Sequence, residues 1–163
     1  MKIIIVGIGQ SLRGDDGAGL EVVQLWQQSY PQSASLPMLR IELAELPGLS
    51  LLDQILRADA AIIVDAIRSG AKPGTIHLIS ETQLAAFESS SGSAHGMGVA
   101  ECIFLGRSIY PEDMPANIIL IGIEASDIRL GNDLSPEVRQ SIPLAAQSIE
   151  EQLQDLLNRE IRE

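Results

Sequence analysis

Short β-branched apolar runs, helical-period stretches between them, and the absence of any internal repeat or low-complexity tract together predict an α/β fold. The 163 residues fit one domain, 1–163, in which a mostly parallel twisted sheet of about five strands carries helices on both faces, a three-layer α/β/α sandwich.

The elements follow in order. Residues 2–6, KIIIV, form a continuous apolar run, as a strand buried on both faces requires. Residues 16–28 place Leu20, Val23 and Trp26 near one helical face, so the first strand feeds the first helix. A weaker strand is expected at 38–43, a short helix with Leu49, Leu52 and Leu56 at 48–57, and a second buried strand, AAIIVD, at 60–65. GAKPG is loop chemistry leading to the strand-like TIHLIS, and the serine-rich ESSSGSAHGMG, the segment with least to pack, opens the helical GVAECIFLG. NIILIGI at 117–123 is the last central strand. The final helix starts with Ser135 as N-cap and Pro136 in its first position, and Val138, Ile142, Ala145, Ile149, Leu153 and Leu156 keep helical spacing.

Composition excludes several classes of function. Eleven Lys and Arg stand against 22 Asp and Glu, a formal charge of -11, which repels nucleic-acid backbones and anionic membranes. MKIIIV is too short for a signal-peptide core, and no run approaches the ~20 apolar residues of a spanning helix. A cytoplasmic, monomeric protein is expected. The single cysteine, Cys102, rules out a disulfide framework and a cysteine-cluster zinc site, and reads as a small apolar core residue.

The stretch IIIVGIGQSLRGDDGAG has the strand-turn-helix shape of a phosphate loop without its chemistry. After Gly7 and Gly9 the third fingerprint position is Leu12, and no Gly-Lys-Ser or Gly-Lys-Thr ends the loop. Asp15 and Asp16 stand there instead. One carboxylate near a helix N-terminus is explained by capping. Two of them facing a crevice repel phosphate and attract a cation, so a metal or a metal-bearing substrate fits better. In a doubly wound sheet the crevice lies beyond the carboxyl ends of the strands, where Asp16 and Asp65 both belong. His77 lies inside a strand and is read without a site role, whereas His95 sits in a glycine-flanked loop that opens a helix. Asp16, Asp65 and His95 make a mixed oxygen and nitrogen set suited to a borderline divalent ion with open positions. Glu124, at a strand end, either reaches the crevice or is solvated.

The order GIGQSLRGDDGAG, IIVDA, SAHGMG, IGIE, LSPEV resembles the hydrogenase maturation endopeptidases, which trim the C-terminal extension from the large subunit of nickel-iron hydrogenases. The likeness spans nearly the whole chain, with Gln10 standing where that family usually has asparagine. The resemblance implies that Asp16, Asp65 and His95 are the metal ligands and catalytic residues, with Asp15 capping the helix or orienting the loop around Asp16. It further implies a large-subunit precursor as partner, nickel presented by that precursor, and zinc or cadmium as ions able to take its place in isolation. The same three ligands would also serve a non-catalytic module that senses the metal state of a partner.

Overall fold

The computed structural model describes residues 1–45, 48–88 and 98–160. Within them the chain runs β1 (Ile3–Gly9), a 3-10 turn (Gly14–Gly17), α1 (Ala18–Ser29), α2 (Pro31–Ala34), β2 (Leu39–Glu45), α3 (Ser50–Ile55), β3 (Ala60–Ile67), β4 (Ile76–Ser80), α4 (Glu81–Glu88), α5 (Val99–Ile109), β5 (Asn117–Glu124) and α6 (Pro136–Glu160). The five strands make one sheet in the order β2-β1-β3-β5-β4, parallel throughout except for β4 against β5. The expected mostly parallel sheet with helices on both faces is therefore what the chain forms.

Alternation along the strands divides the core. Ile3, Ile5, Ile62, Val64, Ile121 and Ile123 face α1 and α6, where Trp26 is fully buried and donates its indole N–H to Glu150 at 2.9 Å. Ile4, Val6, Ala61, Ile63 and Leu120 face the other way, against Leu51 and Ile55 of α3, Leu84 of α4 and Ile103 of α5. Cys102 is buried in this second layer, as its small apolar character predicts, and its thiol donates to the Gly48 carbonyl at 3.2 Å. Burial pushes that thiol's pKa up, and neighbouring Glu101 adds to the effect. No helix among the described residues is long and apolar enough to cross a membrane.

The strand order fixes where a ligand belongs. From β1 the chain crosses to β2 on one side and then returns to β3 on the other, so the carboxyl ends of β1 and β3 diverge at the switch point of the sheet. Pairing between β1 and β3 stops at Gly7 with Val64, whereas β1 continues beside β2 to Gly9 with Glu45. Asp65 is the first β3 residue beyond that parting.

The first helix differs from expectation at its start. Residues 14–17 form a tight 3-10 turn and α1 begins only at Ala18. The backbone at Gly9 accounts for this, because the chain doubles back and the Asp16 carbonyl accepts the Gln10 N–H at 3.2 Å. A Cβ at Gly9 would lie 2.2 Å from that carbonyl oxygen. Gly9→Ala should therefore cost about 3 kcal/mol, the upper part of the range for overpacking, read as a lowered urea midpoint at unchanged slope.

Candidate functional site

The two aspartates of the turn do different work. Asp15 is fully buried, and its carboxylate collects four hydrogen bonds. Oδ2 accepts from the N–H groups of Ser126 and Asp127 at 2.7 and 2.8 Å and from the Ser135 hydroxyl at 2.9 Å, while Oδ1 accepts from the Ser135 N–H at 2.6 Å. Neither the 3-10 turn nor α1 has a side-chain cap, so the expectation that Asp15 caps the first helix is corrected. Its bonds go instead to the connection between β5 and α6, and they hold the turn in place around Asp16. Ser135 sits before α6 as expected, its carbonyl accepting the Arg139 N–H at 2.9 Å, but its hydroxyl is spent on Asp15. Gly14 permits the fit with φ of 55° and an N–H donated to Asn132 O at 3.0 Å. The receiving loop is braced in turn by Arg129, whose guanidinium bonds Asp127 at 2.7 Å and holds its carboxyl well below the usual carboxylate range.

With Asp15 turned inward, Asp16 is left half-buried at the rim. Its negative charge reaches Asp65, the half-buried residue on β3 just past the point where β1 and β3 part. Asp65's pKa is raised well above the ordinary value, first by burial and then by the charge of Asp16, while a hydrogen bond from the Ala66 N–H opposes the rise. That bond is the one stabilising contribution to its charged form among the described residues. Two carboxylates that resist joint ionisation in a polar crevice form a site that a cation relieves. The donors are hard carboxylate oxygens, which fit a divalent ion. Among the described residues no three His, Cys, Asp or Glu side chains form a complete metal cage. His95, the third predicted ligand, lies outside the described residues, as does the serine-rich segment from 89 to 97. Gly98 precedes α5, which packs on the sheet face that carries Asp65.

Glu124 differs from the sequence reading, and His77 has a neighbour that reading did not name. Glu124 is 2% exposed, so it is neither solvated nor open to the crevice. His77 lies on β4 as expected but stands 3.3 Å from the Glu124 carboxylate. No local pattern announces this pairing, because it depends on β4 running antiparallel beside β5. Cavities of about 310 Å³ flank Glu21, Asp133 and Leu134 beside α1 and α6, and neither is lined by Asp16 or Asp65.

Asp15→Ala should cost about 3 kcal/mol or more, since it strands several buried N–H donors at once; chemical denaturation measures it. Asp65 behaves oppositely. Its folded pKa is raised, so between the ordinary carboxylate value and the raised one the folded state binds a proton that the unfolded state does not, and stability falls as pH rises through that window. Asp65→Asn should therefore raise the melting temperature at neutral pH, and the gain should vanish below about pH 4, where both states of the wild type are protonated. Melting curves across pH, without added metal, check this.

Comparison with known proteins shows the family and the fold. The family model described as HycI, hydrogenase maturation protease, matches residues 46–152. The chain is 31% identical over 160 residues to the hydrogenase expression/formation protein HupD of Bradyrhizobium diazoefficiens, covering 92% of this chain and 79% of that one. It is 27% identical over 143 residues to HupD of Thiocapsa roseopersicina, where the match takes in 86% of this chain but only 62% of the relative's length. The fold is that of the hydrogenase maturating endopeptidase HybD from E. coli, with a TM-score of 0.81 at 24% identity over 95% of this chain and 93% of the other. The chain belongs to the hydrogenase maturation protease family.

Proposed function

We propose that this protein is a cytoplasmic endopeptidase that removes the C-terminal extension of a nickel-iron hydrogenase large-subunit precursor after nickel has been inserted. Family membership supports the reaction class. The observation that carries the site assignment is the placement of Asp16 and Asp65 beyond the carboxyl ends of β1 and β3, where these strands part at the switch point of the sheet, and the raised pKa of Asp65 agrees with it. The pair is a poor place for two negative charges and a good one for a cation that arrives with ligands of its own.

On this reading Asp16, Asp65 and His95 grip nickel already held by the precursor. A divalent ion held by these residues would supply Lewis acidity toward a carbonyl or a water. The chain's own contribution is placement. Asp15 fixes the turn that presents Asp16, β3 presents Asp65, and His95 comes from the segment between α4 and α5. Precursor without nickel offers the pair nothing to hold and is refused. Zinc or cadmium should occupy the same ligands in the isolated protein.

The test is to mix the purified protein with nickel-loaded and nickel-free precursor and follow the precursor's mass. Shortening of the loaded form alone is expected. Binding without shortening would favour a non-catalytic module that senses the metal state. Asp16→Asn, Asp65→Asn and His95→Ala should each lower processing by about 100-fold or more, the upper scale for losing support of a metal site. The two Asn variants should keep a cooperative folding transition, so that any one of them processing at the wild-type rate would remove that residue from the ligand set.

A further inference from the structure

Asp65 has lost a neighbour. β1 accompanies β3 only to Val64, so among the described residues the strand from Asp65 to Ile67 is paired on one side alone, by β5, in the register Asp65 with Gly122 and Ile67 with Glu124. A strand end held from one edge is free to splay unless something else fixes it. Glu124 supplies that fixation. Its Oε1 accepts the N–H groups of Ser69 and Gly70 at 2.8 and 3.1 Å, and its Oε2 accepts the Ser69 hydroxyl at 2.7 Å with His77 Nε2 at 3.3 Å. Its backbone is committed to the same connection, the N–H donating to Thr75 O at 2.9 Å and the carbonyl accepting from Gly74 N at 2.8 Å. The next residue, Ala125, donates to Ile67 O at 2.8 Å. Because the Ser69 hydroxyl donates to the carboxylate lying between it and His77, the three are not a nucleophilic triad.

We propose that Glu124 is the positioning residue for Asp65. By pinning Ser69 and Gly70 from the β5 side, its buried carboxylate fixes the chain just past β3 and so holds the strand end that β1 no longer flanks, where Asp65 can meet a cation. The idea rests on the reading of Asp65 as an ion ligand. It explains why a charged residue lies buried at the end of β5, where an apolar one would pack at less cost.

Zinc titrated by calorimetry into the isolated full chain tests it, at a temperature where each variant is folded by circular dichroism. Amide hydrogen exchange over residues 66–70 is followed alongside. Glu124→Ala should weaken zinc binding by about 10- to 100-fold, the scale for losing an outer-shell support, with faster exchange at 66–70. Glu124→Gln keeps an acceptor for the Ser69 and Gly70 N–H groups but loses its charge, so a smaller loss of about 3- to 10-fold is expected, in line with weaker neutral hydrogen bonds. Should Glu124→Ala fail to fold, the Gln variant decides alone. Zinc binding that Asp65→Asn abolishes but that both folded Glu124 variants retain at wild-type strength would overturn the proposal while leaving the ligand reading intact. Zinc binding that survives Asp65→Asn would overturn both.

Discussion

A single buried carboxylate organises the working end of this molecule. Asp15 joins two connections more than a hundred residues apart in sequence, the turn after β1 and the loop between β5 and α6, through bonds to Ser126, Asp127 and Ser135. A buried charge survives only when its lone pairs are filled, and here backbone and hydroxyl donors fill them. The consequence reaches past Asp15 itself. With one acid of the pair turned inward and satisfied, the other is left at the rim with its charge directed toward Asp65.

The sheet supplies the second half of the arrangement. Because β1 and β3 part after Val64, their carboxyl ends open a crevice, and both acidic residues sit at its edges. Asp65 is disfavoured there as an anion, so the protein carries a local destabilisation that, on the proposed reading, a bound cation would relieve. Strain of this kind is expected where binding is the purpose, since the site is complementary to its ligand and not to itself. Asp15 holds the N–H groups of Ser126 and Asp127 just past β5, and Glu124 holds those of Ser69 and Gly70 just past β3, so two buried carboxylates satisfied by backbone donors tie down the connections around the crevice.

Much of this was legible in the sequence. The β-branched runs gave β1, β3 and β5, and the rule that ligands bind beyond the carboxyl ends of parallel strands brought Asp16 and Asp65 together before any contact was seen. Other features were hidden for physical reasons. The turn at 14–17 looked like the start of a helix because acidic residues favour that position, yet the backbone return at Gly9 forces a tighter turn. Helix α4 has little apolar periodicity beyond Leu84, and its pattern gave no signal. The partners of Asp15, and the pairing of Glu124 with His77, depend on contacts across long sequence separations that no local spacing encodes.

The most direct measurement is a carbon-13 NMR titration of the aspartate side-chain carboxyls, made with and without zinc. The account predicts that Asp65 titrates well above the ordinary carboxylate range in the metal-free protein, that Asp16→Asn brings it back toward that range, and that zinc lowers it in the wild type by favouring the charged form. An Asp65 that titrates in the ordinary range, indifferent both to Asp16 and to zinc, would contradict the claim that these two carboxylates form a cation-receiving pair.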